Sequence, residues 1–225
     1  MSDRHLPMPS PAPGEVMSGR SIRVLCVDDH RLVRDGIALM VDREPDMEVV
    51  GCAASAREAV SAFSRLRPDV TLMDLQLGTS SGVDAIRAIH RIDPAGKIIV
   101  LTMYDGDEDI FRALEAGAAN YLSKDLLIDD LIQTMRAVIA GKHSIRPEVK
   151  AKLEARAACK PLTPRELEVI KMLAKRMRNK DIARTLGISE ETVQVHVRNI
   201  VTKLNARDRT TAVDVALHRG IIHRW

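Results

Sequence analysis

Residues 22–29 read IRVLCVDD, a β-rich apolar run that stops on two consecutive aspartates. A strand-length segment of this kind belongs to a strand covered on both faces. Outward from it the signal returns four times, in MEVVGCA (47–53), DVTLMD (69–74), KIIVLTM (97–103) and NYLSK (120–124). Helical patterns lie between these runs. In the first, Leu32, Val33, Gly36, Ile37, Met40 and Val41 share one face, and further helices are expected over 57–66, 83–92, 107–115 and 128–139. Strands separated by single helices require right-handed crossovers. The expectation is therefore a parallel, doubly wound (βα)5 sheet of the α/β class over residues 21–143. Groups that do chemistry in such a sheet gather at the carboxyl ends of its strands.

Of 225 residues, 45% are hydrophobic and 29% charged, which excludes a wholly disordered chain. No apolar run approaches the roughly 18 residues of a membrane span, and the first twenty residues lack the apolar centre of a secretory signal, so a cytoplasmic protein without membrane contact is expected. Four of the ten prolines fall within the first thirteen residues, and 1–20 reads as a flexible tail. Cys26, Cys52 and Cys159 are widely spaced and form no CxxC pair, so each reads as an incidental or small buried thiol. The net charge of +3 conceals a division: residues 1–141 carry 15 basic and 22 acidic side chains, whereas 142–225 carry 19 basic and 9 acidic ones. A basic carboxyl-terminal half points to a polyanion, and an acidic amino-terminal half to different work, such as holding a cation.

After Gly141 the strand signals stop. Residues 144–159 read as a polar, charged linker with some helical character, followed by an all-helical domain over 160–225. Thr163-Pro164-Arg165-Glu166 predicts a capping box with proline at the first helical position. Three further helices are expected over 179–186, ended by Gly187, over 190–204, capped by Ser189, and over 209–219, stopped by Gly220. The middle pair has the helix-turn-helix pattern. In the second of them Val193, Val197, Ile200 and Leu204 face the core, leaving Gln194, Val195, Arg198, Asn199 and Thr202 outward. Gln suits adenine, Arg guanine, and Val a thymine methyl, while Lys180, Arg184, Lys203 and Arg207 suit phosphates.

In the first domain Asp28 and Asp29 close one predicted strand and Asp74 another, so three carboxylates share a pocket. A hard divalent cation with oxygen ligands, Mg2+, relieves their repulsion. Lys124 ends the fifth strand, where its ammonium can neutralise a phosphoryl group and leave Asp74 free as a carboxylate nucleophile; Thr102 ends the fourth with a hydroxyl donor. His30 reads as structural or exposed.

With these residues in place, VDD at 27–29, Asp74, Thr102 and Tyr121-Leu122-Ser123-Lys124 resemble the receiver domain of two-component response regulators, over about residues 21–143. The resemblance implies a phosphoryl group accepted on Asp74 from a sensor histidine kinase. It also implies Mg2+ held by Asp28, Asp29, Asp74 and the Gln76 backbone carbonyl, Lys124 on the phosphoryl group, and Thr102 with Tyr121 as a switch pair. The family often has Met-Pro shortly after the acceptor, where this chain has Gln76-Leu77-Gly78. Residues 160–224 resemble the LuxR-type helix-turn-helix, which implies that 190–204 is the recognition helix, with Thr192, Gln194, Val195, His196, Arg198 and Asn199 among the DNA-facing set. The helix around Val213 to Leu217 then supplies a dimer contact on promoter DNA. Gln194 stands where Lys is frequent and Arg176 where Gly is frequent. Together the halves resemble a NarL/FixJ-type response regulator: a phosphorylation-controlled, dimeric transcriptional regulator and not an enzyme.

Three other readings are weaker. A Mg2+-dependent phosphohydrolase lacks a second carboxylate placed as general acid. A phosphate-blind interaction module leaves the set Asp28, Asp29, Asp74, Thr102 and Lys124 unexplained, and an autoinducer-binding regulator finds little pocket material in 2% aromatic content.

Overall fold

The computed structural model describes residues 20–223, except 79, 104–105, 126–127 and 143–144. The expected tail, but for Arg20, and the expected domain boundary at 143/144 lie outside the described residues. In chain order the first domain contains β1 (Ile22–Val27), α1 (Arg31–Val41), β2 (Met47–Ala53), α2 (Ala56–Leu66), β3 (Val70–Met73), a small hairpin of β4 (Gln76–Leu77) and β5 (Ser80–Ser81), α3 (Gly82–Ile92), β6 (Ile98–Thr102), α4 (Asp107–Glu115), β7 (Asn120–Ser123) and α5 (Ile128–Ile139). The main sheet is parallel, with strand order β2-β1-β3-β6-β7. This is the doubly wound architecture expected from the sequence, and its strand order reverses at β1/β3, where the carboxyl ends open a crevice.

The sheet strands are apolar because both faces are covered. Leu25, Val27, Met73 and Val100 face a core completed by α2, α3 and α4, with Phe63, Ile86, Ile89 and Ile110. Val24, Cys26, Leu72 and Ile99 face the opposite core with Ile37, Val41 and Met135 of α1 and α5. One expectation for α1 fails: Leu32 is 85% exposed, and only Ile37 and Val41 are buried on that helix. The first turn of α1 overhangs the end of the sheet, so Leu32 rims a cavity of about 550 Å³ beside the strand ends instead of joining the core.

The expected linker is mostly a helix, α6 (Pro147–Ala157). Val149 and Leu153 pack into the first domain's core, and the Arg156 guanidinium lies 3.5 Å from the centre of the Phe111 ring on α4. A polar composition hid this packing because α6 buries a narrow stripe and leaves its charged face in water.

The second domain contains α7 (Pro164–Ala174), α8 (Asn179–Leu186), α9 (Glu190–Lys203) and α10 (Arg209–His218). Its core is built on Val169, Ile170, Ile182, Val193, Ile200, Ala212 and Ala216, all fully buried. The expected caps are present: Thr163 and Glu166 form the capping box, and the Ser189 hydroxyl accepts from the Thr192 N–H. Helices α7, α9 and α10 each end in a left-handed residue followed by a bond back to the last turn, Met177 N–H to Met172 O, Ala206 N–H to Val201 O and Ile221 N–H to Ala216 O. The left-handed residue is Gly220 after α10, but it is Arg176 (φ +59°) after α7 and Asn205 (φ +49°) after α9. A side chain at left-handed φ costs about 1 kcal/mol. The exposed Arg176→Gly substitution should therefore stabilise the domain by about 0.5–1 kcal/mol, read as a higher urea midpoint; a lower midpoint would contradict the assignment.

Candidate functional site

At the carboxyl ends of β1, β3 and β7 the structure brings Asp28, Asp74 and Lys124 together. The Asp28 N–H donates to Ala53 O (3.1 Å) and the Asp74 N–H to Val27 O (2.9 Å), so the strand ladder itself fixes both carboxylates. The Lys124 ammonium lies 2.5 Å from Asp28 Oδ2 and 2.6 Å from Asp74 Oδ2. All three side chains are nearly enclosed, at 2%, 6% and 11% exposure. Burial works against the charge on Lys124, but its bonds to Asp28 and Asp74 outweigh that and raise its pKa above the ordinary lysine value.

Asp29, beside Asp28, accepts the Gly78 N–H on Oδ2 (3.0 Å) and turns Oδ1 towards His30 Nδ1 (2.7 Å). His30 is largely exposed, as expected, and one ligand atom from each of Asp28, Asp29 and His30 falls within 4.8 Å of the others. The Gln76 N–H reaches Asp74 Oδ1 at 3.3 Å, which places Gln76 at the rim of the same cavity. Asp28 and Asp74 thus share the Lys124 ammonium, and the Asp29 carboxylate lies beside them. The remaining negative charge and the all-oxygen carboxylate donors suit a hard divalent cation. Directly behind Asp74 stands Gly82, where a Cβ would meet the Asp74 carbonyl oxygen at 2.0 Å; no larger residue fits without moving the acceptor.

Thr102, fully buried, is the last residue of β6, and its carbonyl accepts the Lys124 N–H at 2.9 Å. Tyr121, on the neighbouring strand, is 3% exposed and belongs to the core beneath α2, α3 and α4. Of the cysteines, Cys26 is buried, which pushes its pKa up to about 12, whereas Cys52 and Cys159 are exposed.

The second site is the surface of α9. Thr192, Gln194, Val195, Arg198, Asn199 and Thr202 are exposed, His196 is half-buried, and Val193, Ile200 and the cap residue Leu204 face the core as expected. Lys180 and Arg207 are exposed, and Arg184 pairs on the surface with Asp181 at 3.2 Å. Lys203 departs from expectation: its ammonium is 2.7 Å from Oε2 of Glu166, which is 3% exposed. Burial alone would raise the Glu166 pKa, but the Lys203 bond and the Thr163 N–H bring it below the ordinary glutamate value. Lys203 thus ties the end of α9 to the start of α7, and the capping glutamate was the sequence signal that could have named its partner.

Both halves of the chain match known families. Residues 24–136 match the response regulator receiver domain family, and residues 160–216 match the luxR family of bacterial regulatory proteins. The chain belongs to the response regulators with a LuxR-type DNA-binding domain. It is 38% identical over 217 residues to the transcriptional regulatory protein YxjL of Bacillus subtilis, covering 92% of this chain and 100% of YxjL. It is 37% identical to the response regulator protein VraR of Staphylococcus aureus, covering 90% and 99% of the two chains. Among solved structures it is similar to the response regulator ChrA of a heme-sensing two-component system, with 33% identity, TM-score 0.54, and coverage of 90% and 99%. It is also similar to RcsB of Salmonella enterica serovar Typhimurium bound to a promoter with the phosphomimetic BeF3-, with 25% identity, TM-score 0.67, and coverage of 87% and 98%. A response regulator of this family is a transcription factor and not an enzyme. No helix among the described residues is long and apolar enough to cross a membrane.

The two lysines separate cleanly in experiment. Lys203→Met leaves the buried Glu166 carboxylate without its ammonium, with the Thr163 N–H still bonded to it, and should cost about 2 kcal/mol of domain stability, without changing the slope of DNA affinity against salt. Lys180→Ala should leave stability alone and reduce that slope by about 1. Because the folded state depresses the Glu166 pKa, the contribution of this pair is complete above the ordinary glutamate range and is lost as pH falls through and below it. A Lys203→Met protein with unchanged stability and a reduced salt slope would reverse the assignment.

Proposed function

We propose that Asp74 accepts a phosphoryl group from a sensor histidine kinase, and that this controls dimerisation and sequence-specific DNA binding by α9. The observation that carries the reading is the Lys124 ammonium bridging Asp28 and Asp74 at adjoining strand ends. In the transfer, a carboxylate oxygen of Asp74 attacks phosphorus in line while the bond to the phosphohistidine nitrogen of the kinase breaks. Lys124 lets go of the Asp74 carboxylate and holds a phosphoryl oxygen. Asp28, Asp29, Asp74 and the Gln76 carbonyl are the residues that would hold Mg2+, which supplies charge neutralisation at the phosphoryl oxygens.

Phosphorylation raises the charge at Asp74 from one negative charge to about two and adds acceptor oxygens. The Thr102 hydroxyl is the neighbouring donor on β6 and is drawn to them. Thr102 and Tyr121, on neighbouring strands, are then the switch pair. On the DNA side, Gln194, Val195, Arg198 and Asn199 read base edges, supported by Thr192, His196 and Thr202, while Lys180, Arg184 and Arg207 meet phosphates. A dimer places two such helices on inverted half-sites. The setting is the cytoplasm, where kinase, phosphodonor and promoter meet.

The test is binding to a pool of promoter fragments, with and without acetyl phosphate and Mg2+, for wild type and Asp74→Ala in parallel. The phosphodonor should tighten binding of wild type by on the order of tenfold and leave Asp74→Ala unmoved. Equal binding by wild type under all conditions would refute the switch.

A further inference from the structure

One side chain beside the carboxylates has no structural work to do. His30 is the cap residue of α1, with extended backbone (φ -84°, ψ 110°), yet its imidazole makes no capping bond. Nor is it packed away: the side chain is 72% exposed. Its place is nevertheless fixed, because the His30 N–H donates to Asp28 Oδ1 at 2.8 Å. The far oxygen of its other neighbour, Asp29, is pinned by the Gly78 N–H at 3.0 Å.

The imidazole is turned towards the carboxylates. Nδ1 stands 2.7 Å from Asp29 Oδ1 and 3.4 Å from Asp28 Oδ1. The shorter contact is not aligned as a hydrogen bond: Asp29 Oδ1 is enclosed and has no hydrogen-bond partner among the described residues. An orphaned, enclosed oxygen with a ring nitrogen set beside it calls for a positive group in front of both. The spacing has the right scale for one. Neighbouring ligands on an octahedral ion with bonds of about 2.1 Å are about 3.0 Å apart, and the two nitrogen–oxygen distances fall on either side of that separation. One donor atom from each of Asp28, Asp29 and His30 lies within 4.8 Å of the others.

We propose that His30 is a ligand of the divalent ion through Nδ1, and that it makes the pocket favour a first-row transition dication over Mg2+. The inference rests on the proposed cation site at Asp28, Asp29, Asp74 and the Gln76 carbonyl. Those four groups offer oxygen alone, the donor that Mg2+ accepts. An imidazole nitrogen changes the balance. Mg2+ keeps its waters in preference to nitrogen, whereas the ions from Mn2+ towards Cu2+ take imidazole with rising affinity. With the ring proton on Nε2, which faces outward, Nδ1 has its lone pair free for such an ion. Since the ring is exposed and caps nothing, it can be replaced without disturbing the strand ends.

The test titrates full-length wild type, His30→Ala and Asp28→Asn with Mn2+, and with Mg2+ as its competitor, recording thermal unfolding for each. The free Mn2+ paramagnetic resonance signal gives the affinity, and the electron spin echo modulation of the bound ion detects a coordinated nitrogen. Wild type should bind Mn2+ on the order of tenfold more tightly than His30→Ala, whereas their Mg2+ affinities should differ by less than about twofold. Nitrogen modulation should be present in wild type and absent from His30→Ala. Bound Mn2+ without that modulation in wild type, modulation that persists in His30→Ala, or an equal loss for both ions would overturn the ligand role and leave the oxygen site for Mg2+ standing. If wild type binds neither ion, or if Asp28→Asn binds both as wild type does, the cation site itself fails and the proposal falls with it.

Discussion

One ammonium between two buried carboxylates sets the terms for the receiver. Lys124 reaches Asp28 and Asp74 at once, and each of the three sits at the carboxyl end of a different parallel strand. Enclosing two carboxylates beside a third is costly unless a cation accompanies them. Lys124 supplies one positive charge, so the pocket retains a surplus of negative charge. That surplus makes the site receptive to a divalent cation, and phosphorylation of Asp74, which would raise the charge there from one negative charge to about two, is felt at once by every neighbour. The site is both stable enough to fold and poised to change.

The pocket is legible because its residues occupy topologically fixed positions. Apolar runs name the strands, and the last residue of each run names the group at the strand end: Asp28, Asp74, Thr102 and Lys124 follow without coordinates. The caps at Thr163 and Ser189 were equally legible, since capping depends on residues three apart in the chain. The hairpin of β4 and β5 was not, because two residues per strand carry no periodicity. Leu32 misled because periodicity reports a face of a helix but not where the sheet beneath it ends. Lys203 looked like a phosphate contact because its buried partner, Glu166, lies 37 residues away and on another helix.

The interdomain contacts were the least legible feature. Arg219 and Asp107 are 112 residues apart, and nothing local in either segment announces the other. Asp107, Glu108 and Asp109 read as ordinary acidic residues in the first turn of a helix, where they favour the helix dipole. Gly106, just before them, has a backbone that any residue could adopt, yet a Cβ there would meet Arg219 and Gly220 at 2.4–2.6 Å, which marks the place where a second surface arrives. The structure thereby connects two halves that charge alone had separated: an acidic receiver edge holds a basic carboxyl-terminal end.

The central claim is chemical, that Asp74 carries the phosphoryl group. Its most direct test is intact-protein mass spectrometry after incubation with acetyl phosphate, followed by reductive trapping of the acyl phosphate and peptide mapping. The account requires a gain of one phosphoryl group that depends on Mg2+, disappears with a chelator, maps to Asp74 and is absent from Asp74→Ala. A phosphoryl group that persists in Asp74→Ala, or none in wild type with Mg2+ present, would contradict it.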